Sequence, residues 1–256
     1  MKKKLFLYLG ILILINSFFS GCSSSSGSDI TTDDPEKAFK IAKRKYDRKD
    51  YVDAIEDFLY LKKIFRGTEI SPQVQFYLAE SYFYEKEYIF AEDEYKELLK
   101  TYGDSLFPET RYKLGLSYYE LSPKYSLDQN FTHKAINEFK LFLNLFPANK
   151  NVPDAEKKLI ELENKLAYKN YRAGELYMKM DKYIAAANYF KTVHEDYIES
   201  EWADDAIIGH ADALINAKKF DDAEKVLEKF YKYFQNSKLK SKADKLNNII
   251  KESHPQ

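Results

Sequence analysis

Five times along this chain a small residue, an alanine and then an aromatic residue or leucine recur in fixed order. In four of the sets the spacing is the same: twelve positions to the alanine and four more to the large residue. These are Ala42, Ala54 and Phe58; Ala79, Ala91 and Tyr95; Gly174, Ala186 and Phe190; and Ala211, Ala223 and Leu227. The remaining set, Gly115, Ala135 and Phe139, fits once eight residues around Pro123-Lys124-Tyr125-Ser126 are treated as an insertion. Such self-similarity restricts a chain to an array whose units bury their apolar faces on one another. Alanine, leucine, glutamate and lysine are plentiful while glycine is held to 8 and proline to 7 residues, so the units are predicted to be helical.

The pattern resembles the tetratricopeptide repeat. In that family a small residue lets helix A approach helix B, and alanine followed by an aromatic residue seals the pair. Leu114-Gly115-x-x-Tyr118 and Leu78-Ala79-x-x-Tyr82 match its helix A signature, and Pro147 its helix-ending proline. The resemblance implies an all-α tetratricopeptide-repeat superhelix of about five helix pairs over residues 35–253, closed by a C-terminal capping helix from Ser237 to Lys251. Asp34-Pro35 and Ser71-Pro72 read as helix starts, with an N-cap residue followed by proline. The small residues are separated by 37, 36, 59 and 37 positions. The long interval holds the insertion and an extra stretch after Pro147, where a long helix is expected from Pro153 to about Met180.

Residues 1–34 read as an address and an anchor. Lys2, Lys3 and Lys4 precede an apolar run from Leu5 to Ile15, too short to span a bilayer as a helix and typical of a secretory leader. Phe19-Ser20-Gly21-Cys22 resembles the lipobox of bacterial lipoproteins, although Phe19 stands where leucine is preferred. That resemblance implies cleavage after Gly21, leaving residues 1–21 as the signal peptide, and acylation of Cys22, the chain's only cysteine. Residues 22–34 would then form a lipidated, Ser-rich tether. Removal of the three lysines leaves a formal charge of −4, against −1 for the whole chain. By resemblance to lipoprotein sorting, Ser23 after the cysteine implies the outer membrane, and the lack of an acidic pair after Cys22 its periplasmic side.

Chemistry is hard to find. With 40 basic and 41 acidic residues there is no basic excess for nucleic acid, and a single cysteine excludes an internal disulfide or a cysteine-based zinc site. No glycine-rich phosphate loop, G-x-S-x-G elbow or H-E-x-x-H pair is present. His133, His194, His210 and His254 have no metal-ligand spacing, and each is expected to be solvated or packed. His194-Glu195-Asp196 reads as a charged helix end. No catalytic residue, metal or cofactor is assigned.

One constellation stands out. Three residues before and four after each small helix A residue lie positions that project from one helix face, nearly two turns apart. They are Phe39 and Tyr46, Phe76 and Phe83, Tyr112 and Tyr119, Tyr171 and Met178, Ile208 and Ile215. In tetratricopeptide repeats these positions line the concave surface, where extended partner segments bind. The first three pairs would present six rings to such a groove, a large contact area at small entropic cost. The alternative is that the rings pack between repeats as core.

Signal, lipobox, short tether and about five repeats together resemble the BamD family of outer-membrane lipoproteins. The most specific stretches are Lys134-Ala135-Ile136-Asn137-Glu138-Phe139 with Leu145-Phe146-Pro147, and Leu162 to Tyr177 followed by Asp181-Lys182-Tyr183-x-Ala185-Ala186. The resemblance implies a non-enzymatic scaffold of the β-barrel assembly complex, acting in insertion of barrel proteins into the outer membrane. Its implied partners are the periplasmic domains of the barrel-forming assembly protein, unfolded outer-membrane proteins, and the membrane through the lipid anchor. A nutrient-binding lipoprotein or a tetratricopeptide adaptor of the envelope is the alternative reading.

Overall fold

The computed structural model describes residue 28 and residues 30–104 and 107–253. The leader, Cys22 and His254 lie outside the described residues. Among the described residues there are eleven helices and no strand, as the repeat pattern predicts. They are α1 (Pro35–Asp47), α2 (Tyr51–Ile64), α3 (Ser71–Tyr84), α4 (Tyr88–Tyr102), α5 (Glu109–Leu121), α6 (Asn130–Leu145), α7 (Val152–Lys179), α8 (Tyr183–Asp196), α9 (Ala203–Asn216), α10 (Phe220–Tyr233) and α11 (Lys240–Ser253). The chain divides into two compact units, one up to Ser71 and one from Pro72.

The five pattern alanines and their small partners are fully buried wherever alanine occupies the position, and Gly115 and Gly174 show why alanine does not always fit. A Cβ on Gly115 would lie 2.8 Å from the Phe139 ring, and one on Gly174 would lie 2.7 Å from Phe190. A Cβ on Gly209 would meet the same Phe190 ring at 2.9 Å, so that ring is wedged between two glycines. Close packing of this kind leaves no room for one methyl group.

Four of the five turns between paired helices share a backbone. Lys49, Lys86, Asp181 and Lys218, each seven residues after the small residue, adopt φ between 56° and 66°. The following N–H reaches back five residues, from Asp50 to Lys45 O, Glu87 to Tyr82 O, Lys182 to Tyr177 O and Lys219 to Leu214 O, at 2.9–3.0 Å. This is the left-handed C-terminal motif that satisfies the last helical carbonyls, built here without glycine. The third pair lacks it because the insertion, residues 122–129, replaces the turn. That loop is pinned rather than loose. Lys165 and Lys169 of α7 donate to Ser122 Oγ and Leu127 O, both at 2.7 Å, and Gln129 caps two loop carbonyls.

Asp34 caps α1 by accepting from the Lys37 N–H at 3.1 Å. Ser71, read as the equivalent cap of α3, instead turns its hydroxyl back to Phe65 O at 2.9 Å. The start of the described chain is also fixed. Ser28 Oγ donates to Asp57 at 2.7 Å, Ile30 is buried, and Lys45 Nζ lies 2.8 Å from the other oxygen of the wholly buried Asp57. A serine-rich stretch reads as a free linker; here its last part is tied to the first helix pair by one buried carboxylate.

From Pro72 onward two apolar cores follow in succession. One gathers Ala79, Tyr95, Leu114, Tyr118, Phe139, Phe142, Leu162 and Leu166; the next begins at Ala167 and gathers Phe190, Ile207, Ala211, Leu227, Phe230 and Ile250. The 28-residue helix α7 contributes its first half to one core and its second half to the other.

Candidate functional site

Within the first unit, Phe39 packs on Phe58 with ring centroids 6.1 Å apart, and Tyr46 meets Tyr51 edge-on at 5.6 Å. Both rings are half-buried. In the second unit Phe76 stacks on Phe107 at 4.7 Å, and Phe83 sits edge-on to Tyr88 at 5.4 Å under Lys113 Nζ. Tyr119 keeps part of its ring exposed beneath Lys158, 4.2 Å from the ring centre, and donates its hydroxyl to Glu161 at 2.6 Å. The Glu161 carboxylate, helped by burial, pushes the Tyr119 hydroxyl up to about 12.

Tyr112 differs from the other five. It is buried against Phe139 and Phe142, and its hydroxyl donates to Asp154 of α7 at 2.7 Å. Burial and that carboxylate raise its pKa well above the ordinary tyrosine value. In the second unit, then, Phe76, Phe83 and Tyr119 offer ring area to solvent, and Tyr112 belongs to the core against which they pack.

The later positions lead to a cluster that spacing does not reveal. Tyr171 lies 5.2 Å from Trp202, Trp202 4.6 Å from Tyr168, and Tyr168 4.6 Å from Tyr125 of the insertion. All four rings are partly exposed. Because they come from the loop, α7 and the start of α9, no single-helix period could have found them.

Buried polar groups lie beside the Phe76 and Phe83 rings. Tyr95 donates to Glu80, which also accepts from Lys113 Nζ at 2.8 Å. Tyr118 donates to Glu92 at 2.9 Å, with Lys96 and Lys134 at 3.4 and 3.5 Å from the same oxygen. Arg111 bridges Asp104 and Glu138. Farther along, His194 and His210 are not solvated but buried together, Nε2 to Nδ1 at 2.9 Å. Burial lowers both to about 4, so at neutral pH the pair is uncharged and one ring donates to the other. No group of three or more metal-ligating side chains occurs among the described residues.

Comparison with known proteins gives the following. The family model YfiO, described as outer membrane lipoprotein, matches residues 31–217. A Rickettsia prowazekii (strain Madrid E) protein, outer membrane protein assembly factor BamD, is 26% identical over 244 residues, covering 95% of this chain and 97% of its own. A Xylella fastidiosa (strain 9a5c) protein of the same name is 28% identical over 128 residues, 49% of this chain and 41% of that one. Among solved structures, the TPR domain of P58(IPK) is 16% identical with a TM-score of 0.44, covering 87% of this chain and 67% of its own.

Proposed function

This chain belongs to the YfiO family of outer-membrane lipoproteins, and on that premise we propose that it works as a non-enzymatic docking scaffold in the assembly of β-barrel proteins into the outer membrane. One observation carries the reading: the family match and the full-length relative both run through the same array of helix pairs that makes up the described chain. A role in outer-membrane protein assembly follows from the family. The finer assignments are ours.

Cys22 is acylated after cleavage of residues 1–21 and holds the chain on the periplasmic face of the outer membrane. No helix among the described residues is long and apolar enough to cross a membrane. The C-terminal repeats dock on periplasmic domains of the barrel-forming assembly protein. The aromatic positions receive unfolded substrate: Phe76, Phe83 and Tyr119 by direct contact, Tyr112 as their support, and Phe39 and Tyr46 with the same chemistry in the first pair. Exposed ring area beside lysine suits a chain end that is both aromatic and carboxylate-bearing.

Purification of the tagged protein from detergent-solubilised outer membrane tests the scaffold role. A large barrel protein with repeated periplasmic domains should be recovered in near-stoichiometric amount; recovery of a nutrient transporter or of cell-wall synthases instead would overturn it. Competition between peptides ending in Phe and in Asp tests the aromatic receptor, and equal binding would remove it.

A further inference from the structure

Four of the six cations between Pro35 and Arg48 lie on one side of α1. At 100° per residue, Lys37, Lys40, Ile41, Arg44 and Arg48 fall within an arc of about 100° that contains no acidic residue. Ala38 and Ala42 lie across the helix from it and are fully buried. The side chains of Lys37 and Arg48 are 73% and 69% exposed. The contacts of these cations are local: Lys37 with Asp34 at 3.1 Å, Arg48 with Asp50 at 3.4 Å, and Arg44 Nε with the Lys40 carbonyl at 3.3 Å. Glu36 and Asp47 sit along one edge of the arc, Asp47 paired with Lys43. Exposed pairs of this kind contribute little, so a carboxylate partner is readily exchanged for a phosphate.

The attachment proposed at Cys22 keeps the first helix pair close to a membrane. Ser28 is bonded to Asp57 and lies six positions after Cys22, a span of at most about 20 Å. A tether free as far as Asp34 would reach twice as far. Charge points the same way. Residues 30–71 carry ten Lys and Arg against nine Asp and Glu, whereas residues 72–253 carry 27 against 31. The first pair is thus less acidic than the rest of the described chain.

We propose that the Lys37/Lys40/Ile41/Arg44/Arg48 face of α1 is a docking surface for the anionic phospholipid headgroups of the leaflet that holds the Cys22 acyl chains. The proposal rests on the acylation of Cys22 put forward above. Cations near an anionic bilayer add to acyl anchoring as a second signal, and the two together fix how the first pair meets the membrane.

The test separates the two ideas. The mature-length chain with Cys22→Ser is sedimented with vesicles of phosphatidylcholine alone or with 30% phosphatidylglycerol. Partition onto the anionic vesicles should be about tenfold higher at 50 mM salt and fall toward the neutral value at 300 mM. The variant K37Q/K40Q/R44Q/R48Q should lose that gain with an unchanged melting temperature, while K218Q/K219Q/K225Q/K229Q keeps it. K37Q/R48Q, which changes only two highly exposed side chains, should lose part of it. Equal partition onto both vesicles, or full binding by the quadruple α1 variant, would overturn the proposal. Vesicle binding untouched while an acidic protein partner is lost would assign the face to protein docking instead, and would overturn it equally. The intact mass of protein extracted from membranes reports acylation independently of all these results.

Discussion

The two successive cores beyond Pro72 follow one pattern and fill it with opposite chemistry. In the middle region the large residue that seals a pair is Tyr95, or is joined by Tyr118, and each hydroxyl is held by a buried carboxylate that lysine in turn neutralises. In the C-terminal region the sealing residues are Phe190 and Leu227, and the polar component is an uncharged histidine pair. His194 and His210, at the junction between the fourth and fifth repeats, occupy positions that are Leu99 and Leu114 at the junction between the second and third. The repeat thus specifies size and spacing, not polarity. A polar group is admitted at any of these positions provided its partner arrives with it.

That contrast can be broken at Glu80. Glu80→Ala removes the carboxylate that holds the Tyr95 hydroxyl and Lys113 in the middle core, and chemical denaturation should show a loss of about 3 kcal/mol. The glycines sharpen the comparison. Alanine at an exposed helical glycine would stabilise by about 1 kcal/mol, but Gly174→Ala drives a methyl group into a ring already held by Gly209 and should destabilise by about 2 kcal/mol. Gly115→Ala should lose less, because one glycine rather than two confines Phe139. Equal melting shifts for the two variants would show that Phe190 has room to move.

The histidine pair gives a test by pH. In the unfolded chain each histidine titrates near 6.5, in the folded chain near 4, so between those values the unfolded state binds more protons and stability falls as pH drops from 6.5 to 4. Above about pH 6.5 this penalty vanishes. At pH 7, His194→Leu alone should destabilise by about 1–2 kcal/mol by leaving His210 unpartnered. The double change to leucine should be nearly neutral, and the gap between it and the wild type should widen in its favour on acidification. Carboxyl groups raised by burial, such as Asp212 and Glu138, are common to both proteins and cancel in that difference. The smallest effect is one the regions should share. Lys86→Gly and Lys218→Gly each relieve a left-handed residue and should raise stability by about 1 kcal/mol, equally in both, because the turn is the same.

Much of this fold was legible in the sequence because close approach of two helices restricts residue size whatever lies around it. Ala42, Ala79 and Ala211, the insertion near Pro123 and the long helix after Pro147 are all readable on that ground. The turns at Lys49, Lys86, Asp181 and Lys218 were not, since a left-handed residue is ordinarily announced by glycine or asparagine. Nor were the histidines, sixteen residues apart on different helices and joined only when one pair stacks on the next. For the candidate site, the face bearing Phe76, Phe83, Tyr112 and Tyr119 followed from helical period, but depth did not. Tyr112 is covered by Phe139 and Phe142 of α6 and held by Asp154 of α7, 42 residues along the chain.

Helix α7 has a mechanical meaning. An array of helix pairs joined by nearest-neighbour contacts melts one unit at a time from either end. A rod of about 42 Å, with one half embedded in each core, denies the chain that freedom at its centre. Strain or loosening on one side of Leu166 and Ala167 is passed to the other through an unbroken ladder of backbone hydrogen bonds. The third and fourth pairs are thereby made to share one fate, and a load applied to either is borne by both.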